Sequence, residues 1–410
     1  MTGLISSHTP ATERPLSLWR QHRWLSLVIT IGVAALAGLV VALTMPRGPA
    51  TAVQALVVMG SSLLVGLMAG WAMRRRWALL LAAAAYIVAV ELTRLDAVGP
   101  TVDAIRLDNT FSVLAFILGR GFHGLVGLLP MVLGVEIGVL AGDNAHRHGK
   151  RKVARWLFTA VLALLLITLA VFIALAASTP PILGPNHQPL PGSIAELTTA
   201  NIGGHEQALM IRGYDVNKPI LLYLSGGPGQ SSLPWPRVLF DDLSRDFIIV
   251  GWDQRGTGKS YATLDPAATL TLDQTIADTI DVTNYLRQRF DEEKIYLLGE
   301  SWGTTLAVLA AQKRPDLYHA IIGSGQMVSQ RETDRLLYYD VLAYADHTRD
   351  EELRAQMLAY GEPPYQDLYA YAFVMGYYER LYKPYTPPAA YLEKGQAAGL
   401  GPWNVLGSEY

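Results

Sequence analysis

The chain has 410 residues, a net charge of −2 and no cysteine. That length suggests two or three domains, the near-neutral balance gives no case for a nucleic-acid partner, and the lack of thiols excludes disulfides, thiol chemistry and cysteine-held metals. A hydrophobic share of 51% and a mean hydropathy of +0.23 are high for a water-soluble protein, and the excess is confined to one part of the chain.

That part is residues 1–178. Trp24–Met45 and Ala52–Met73 carry no charge and are each long enough to cross a hydrocarbon core of about 30 Å. Trp77–Val90 is a shorter uncharged run, Phe111–Ala141 a long one carrying Arg120, His123 and Glu136, and Trp156–Ala177 a clean last one. The pattern predicts a transmembrane α-helical region of about five spans. Arg14, Arg20 and Arg23 precede the first span, Arg74, Arg75 and Arg76 follow the second, and Arg147, Lys150, Arg151, Lys152 and Arg155 precede the last. With five spans these clusters share one face, and the opposite loops hold only Arg47, Arg94 and Arg106. Basic loops tend to stay inside. This predicts a multi-pass protein of the cell membrane, embedded in the lipid bilayer, with a cytoplasmic N-terminus and an extracytoplasmic region after Ala177. Ionisable groups at membrane depth mark functional sites by default. Arg120 and His123 share a helical face, which fits structural pairing with Glu91 or Glu136, or else a transport or ligand role.

Residues 179–193 open with Thr179-Pro180-Pro181-Ile182-Leu183-Gly184-Pro185. Proline fixes its own φ and disfavours helix in the residue before it, so this reads as a stiff linker between domains. From residue 194 the pattern changes to strands and helices in alternation, which predicts a mostly parallel sheet. Ile194–Ile202 and Gln207–Tyr214 alternate as antiparallel leading strands. Pro219–Leu224 and Phe247–Trp252 are apolar runs that read as buried parallel strands, each followed by a glycine-rich loop, SGGPG and DQRGTGKS. Open α/β sheets place their sites at such strand ends. A helix is expected over Ser231–Ser244. Leu272–Phe290 is amphipathic, with Ile276, Ile280, Val282, Tyr285 and Leu286 facing the core and Asp278, Asp281 and Arg287 facing outward.

Ile295–Leu298 then stops at Gly299-Glu300-Ser301-Trp302-Gly303, and apolar residues resume at helical spacing (Leu306, Leu309, Ala310). Strand, tight turn with one serine, then helix is the pattern of a nucleophile elbow, which lifts the hydroxyl clear of the sheet. Ser301 is the candidate catalytic nucleophile. In acyl transfer the backbone N–H groups of Gly227 and Trp302 would hold the oxyanion. The alternative at each loop is a plain turn. Tyr318–Gly325 reads as the next buried strand.

GGPG after one strand, WDQRGTGKS after the next and GESWG at the elbow, in that order, resemble the proline iminopeptidase family of α/β-hydrolase serine peptidases, over about residues 197–410. One departure is Ser225, where the family usually has histidine before GGPG. The resemblance implies an α/β-hydrolase core over 194–328 and a helical cap over 329–410. It also implies an aminopeptidase that cleaves N-terminal residues from small peptides through a Ser301 acyl-enzyme, with no metal or organic cofactor. An esterase or lipase acting on another acyl substrate, and a catalytically incomplete receptor or sensor, are the alternatives. The tyrosines crowding the cap, Tyr338 and Tyr339 among them, fit either an aromatic substrate pocket or the cap's own core. In the family, cap glutamates bind the substrate's amino group. Glu362, Glu379, Glu393 and Glu409 are available, and no motif singles one out.

A serine nucleophile needs a base, ordinarily a histidine oriented by a carboxylate, and in this fold both follow the serine. After Ser301 come only His319, read as a structural residue in or just before a strand, and His347, read as an exposed cap residue. His205 precedes the sheet. No acid or histidine of a triad is identified, and one strand plus the cap use up the chain after the elbow. The expectation is a fragment lacking its C-terminal strands, or failing that a degenerate domain. Nothing in the sequence gives an oligomeric state.

Overall fold

The structure, a computed structural model, describes residues 23–45, 50–95, 110–142, 150–264 and 267–382, together with residue 389. Arg14, Arg20, Arg47, Arg106, Arg147, Glu393 and Glu409 lie outside them. The chain divides into two compact units, Met1–Leu175 and Ala176–Tyr410.

The first unit is helical: α1 (Arg23–Thr44), α2 (Ala52–Met73), α3 (Trp77–Thr93), α4 (Thr110–His123), α5 (Leu129–Gly142) and α6 (Lys150–Ala174). A π-helical turn at Gly124–Leu128 joins α4 to α5, closed by Leu129 N–H to the Gly124 carbonyl. Pro130 follows at once and has no N–H to continue the ordinary ladder, so the wider turn absorbs the break. Among the described residues four helices are long and apolar enough to cross a membrane, Trp24–Thr44, Ala52–Met73, Phe116–Ala141 and Val153–Ala174, while Trp77–Thr93 is shorter. At 17 residues this last helix stands at the lower limit for a span.

Small residues set the packing of α2 on α5. A Cβ on Gly66 would lie 2.1 Å from the Met131 carbonyl oxygen, and one on Gly134 would lie 2.1 Å from that of Leu63. Gly70 and Gly138, one turn further along their helices, are as tightly placed. Glycine thus lets the two backbones touch, as in small-residue contacts between membrane helices. Glu91 and Glu136 are paired with arginines. Arg120 binds both oxygens of Glu91, at 3.2 and 3.0 Å. Glu136, 3% exposed, meets Arg155 at 3.1 Å and Arg76 at 3.5 Å. Arg94 donates to the Ala42 and Met45 carbonyls at 3.3 and 2.8 Å, satisfying acceptors at the end of α1.

The second unit is an α/β fold. β1 (Ile194–Ile202) and β2 (His205–Gly213) form an antiparallel pair, and β2 runs antiparallel to β4 (Ile248–Trp252). β4, β3 (Ile220–Leu224), β5 (Ile295–Glu300) and β6 (Tyr318–Ser324) are parallel, giving the order β1-β2-β4-β3-β5-β6. β3 and β4 are buried along their whole length, which is why each reads as an unbroken apolar run. Between them α7 spans only Trp235–Val238, so the longer helix expected over 231–244 is not formed. The cause is local. Ser231 and Ser232 are engaged with the end of β4, the former donating to Asp253 at 2.6 Å and the latter to the Trp252 carbonyl at 2.9 Å.

α8 covers Leu272–Phe290, capped by the Thr271 hydroxyl on Gln274 N–H. Ile276, Val282 and Leu286 join the sheet's core as expected. Asp278 does not face outward: it is 0% exposed. α9 (Trp302–Lys313) follows the elbow. β6 is an edge strand among the described residues, buried only at Tyr318, with Ile321 and Ile322 exposed. The buried strand expected there is corrected to an exposed one, because no further strand pairs with it among the described residues. α10 (Gln330–Thr348), α11 (Glu351–Tyr360), α12 (Leu368–Met375) and α13 (Tyr378–Tyr382) form the helical cap, where Leu337, Tyr338, Val341 and Met357 make a small core with Tyr360, Tyr365 and Tyr377 packed against it. Tyr338, Tyr344, Tyr360, Tyr365 and Tyr377 therefore serve the cap's own packing, while Tyr339, Tyr378 and Tyr382 are exposed.

Candidate functional site

Ser301 stands between β5 and α9 with φ 48° and ψ −114°. A non-glycine residue at positive φ is strained, and such strain gathers at sites where the surroundings hold it. The surroundings are glycines chosen by contact. A Cβ on Gly303 would sit 1.8 Å from the Leu224 carbonyl oxygen, and one on Gly299 would sit 2.6 Å from the Gly303 carbonyl oxygen. Strand and helix can pass this closely only without side chains there. Ser301 N–H donates to the Ser324 carbonyl at 2.9 Å, tying the turn to β6. The Ser301 hydroxyl does not cap α9, and among the described residues its hydrogen-bond contact is the Met327 sulfur at 3.9 Å. Thr304 secures this flank, donating to the Ser301 carbonyl at 2.6 Å and accepting Met327 N–H at 3.0 Å.

The loop after β3 lies against the elbow, since a Cβ on Gly226 would be 3.3 Å from Ser301 Cβ. Gly227 follows at φ 110°, a backbone conformation that favours glycine. Trp302 is the first residue of α9, where backbone N–H groups have no helical partner. Among the described residues no hydrogen bond engages the N–H of Gly227 or Trp302. The structure thus brings Ser301, Trp302 and the loop bearing Gly227 to one end of the parallel strands.

Two residues of these loops, not singled out from the sequence, connect them. Gln254 donates from Nε2 to the Ser225 carbonyl at 3.2 Å and to its hydroxyl at 3.3 Å, and its Oε1 accepts the Trp302 indole N–H at 3.2 Å. Ser225, standing where the resembled family has histidine, uses its own hydroxyl to bind the Gln230 carbonyl at 3.2 Å. Glu300 accepts the Gly226 N–H at 2.9 Å. Burial raises the Tyr223 hydroxyl pKa above its ordinary value, and the Glu300 carboxylate adds to the effect.

The DQRG loop is held by charges. The Asp253 carboxylate accepts the Ser231 hydroxyl at 2.6 Å, Lys259 N–H at 2.7 Å and Ser232 N–H at 3.2 Å. Burial nonetheless pushes its pKa above the usual carboxylate value, with these hydrogen bonds working in the opposite direction. Arg255 reaches back to Asp278 on α8, which also accepts Gln207 at 3.1 Å and Gln274 at 2.8 Å. This loop is scaffolding, wrapped around buried partners. Asp278 could have been found in the sequence only by pairing it with an arginine elsewhere in the chain.

Among the described residues of the second unit, no histidine hydrogen-bonds Ser301. His319 is exposed at the opposite end of β6 and stacks on Tyr296, ring centroids 5.0 Å apart. His347 is exposed in the last turn of α10, and His205 begins β2. Glu362 accepts the Tyr339 hydroxyl, while the side chain of Glu379 is outside the description. Among the described residues no group of three or more His, Asp or Glu side chains could hold a metal ion.

Residues 219–388 match the family described as alpha/beta hydrolase fold, so the second unit carries an α/β-hydrolase domain. A probable aminopeptidase, YbaC, of Bacillus subtilis (strain 168) is 36% identical over 174 residues, which are 42% of this chain and 55% of that protein. A probable proline iminopeptidase of Leptolyngbya boryana is 32% identical over 123 residues, 30% of this chain and 36% of that protein. The chain therefore spans about half the length of the first relative and about a third of the second. Among solved structures, a proline iminopeptidase from Mycobacterium smegmatis is similar over 51% of this chain and 69% of its own, at 20% identity and a TM-score of 0.34.

Proposed function

We propose that the chain belongs to a membrane-anchored serine hydrolase, an aminopeptidase of proline iminopeptidase type acting on small peptides. The observation that carries this is Ser301, held at positive φ with its hydroxyl uncapped beside the Gly226-Gly227 loop. Ser301 Oγ attacks the carbonyl carbon after the substrate's first residue while a base takes its proton. The N–H groups of Gly227 and Trp302 hold the resulting oxyanion. The C–N bond breaks, the amine leaves with a proton, and water then releases the acyl group from Ser301. The relatives named as aminopeptidases support the choice of substrate.

The base is not among the described residues, and the reading requires one placed within reach of Ser301 Oγ. We further infer five spans, with Trp77–Thr93 counted among them, and a cytoplasmic N-terminus, which together put the hydrolase domain on the extracytoplasmic face of the bilayer; the basic loops support this reading. Comparing an aminoacyl arylamide with a short acyl ester tests the activity. Faster arylamide cleavage that is lost when the amine is blocked fits the aminopeptidase. Indifference to the blocked amine favours an esterase. That no histidine hydrogen-bonds Ser301 among the described residues favours one further reading, a domain that binds its ligand without turnover, and neither substrate being cleaved would fit it.

A further inference from the structure

The loop between β3 and α7 has few fixings near its centre. Gly227 and Gly229 stand at φ 110° and 102°, so the chain there is free of the steric limits that confine other residues. Ser225 is tied to Gln254 on one side. The fixing nearest Gly227 is the hydrogen bond from Gly226 N–H to Glu300 Oε2, at 2.9 Å. A Cβ at Gly226 would lie 2.3 Å from that oxygen and 3.3 Å from Ser301 Cβ, so loop, carboxylate and serine are in mutual contact. Glu300 is itself well placed to anchor something. It ends β5, pairs with Ser324 of β6, and follows Gly299, which pairs with Leu224 of β3.

We propose that Glu300 is a positioning residue for the reaction, holding Gly226 so that the next N–H, that of Gly227, faces the oxygen of the carbonyl that Ser301 attacks. The proposal rests on the reading of Ser301 as nucleophile. An oxyanion donor is effective because it is already aimed when charge develops. A hydrogen bond to a carboxylate is stronger than one to a neutral acceptor, which suits Glu300 to hold a glycine-rich loop in one conformation. The same negative charge stands close to a developing oxyanion and opposes it. The hydrogen bond and the charge therefore act in opposite senses, and substitution separates them. Glutamine keeps an acceptor for Gly226 N–H and removes the charge, whereas alanine removes both.

The test uses the full protein in membranes, with an aminoacyl arylamide for steady-state rates and a fluorophosphonate for the serine. Glu300→Ala is expected to lower kcat about tenfold to a hundredfold, less than losing an oxyanion donor outright, with KM little changed. Glu300→Gln is expected to match or exceed the unaltered protein in kcat. Unchanged kcat in Glu300→Ala, or an equal loss in both variants, would overturn the proposal. So would a raised KM with kcat kept, which would make Glu300 a binding group for the substrate's amine. Equal fluorophosphonate labelling of Ser301→Ala and unaltered protein would instead remove the nucleophile reading, and this proposal with it.

Discussion

Arg255 and Asp278 form an ion pair sealed from water, with hydrogen bonds of 2.8 and 3.0 Å and side-chain exposures of 1% and 0%. Arg255 also donates to the Gly203 carbonyl at 3.2 Å, so the pair joins the DQRG loop, α8 and the β1–β2 turn. Removing one partner strands the other charge in the interior. Arg255→Ala or Asp278→Ala should each destabilise the domain by about 3–5 kcal/mol, read as a lower denaturant midpoint. Replacing both with apolar residues of similar size should cost much less than either single change. An exposed pair would instead show losses near zero for every variant.

Gln254 makes a different connection, since it joins the loop bearing Gly227 to the elbow bearing Trp302. Gln254→Ala should slow reaction of Ser301 with a fluorophosphonate while costing only about 1–2 kcal/mol of stability. Gln254→Glu should slow it further, because a carboxylate oxygen would then face the Ser225 carbonyl oxygen. Unchanged labelling rates in both variants would show that the bridge is not needed to shape the site.

In the helical unit the contact between α2 and α5 depends on the absence of side chains. Gly134→Leu would drive a side chain into the Leu63 carbonyl, whereas nothing lies within 4 Å of a Cβ at Gly60 on the same helix as Leu63. Gly134→Leu should therefore lower the melting temperature of the detergent-solubilised protein, with Gly60→Leu as the tolerated control. Equal effects from the two would contradict the close packing.

Much of this architecture can be read directly from residue order. β3, β4 and β5 are short apolar runs that lead into glycine-containing loops, and α8 has both a threonine cap and a regular apolar stripe. What escaped were pairings between distant residues. Asp278 lies one position off the stripe of α8, and helical periodicity assigns such a residue to solvent unless a partner such as Arg255 is known. Glu91 was legible as a partner for Arg120, but the burial of Glu136 against Arg76 and Arg155 depends on which helices meet. Ser231 and Ser232 look like a helix start until the Asp253 carboxylate and the end of β4 claim their hydrogen bonds. The exposed face of β6 was missed for a related reason, since an apolar run carries no mark of whether a neighbour covers it. At the site, GESWG pointed to Ser301 through local geometry. Gln254 and Glu300 came into view only once three loops from different strands were placed together.

The central claim is that Ser301 is an activated nucleophile. The most direct measurement is labelling of the full protein, in the membranes of cells that make it, by a fluorophosphonate, with Ser301→Ala alongside. The account predicts labelling of the unaltered protein, its loss in Ser301→Ala, and a labelled peptide that contains Ser301. An unlabelled protein, or a Ser301→Ala variant that labels as well as the original, would contradict it.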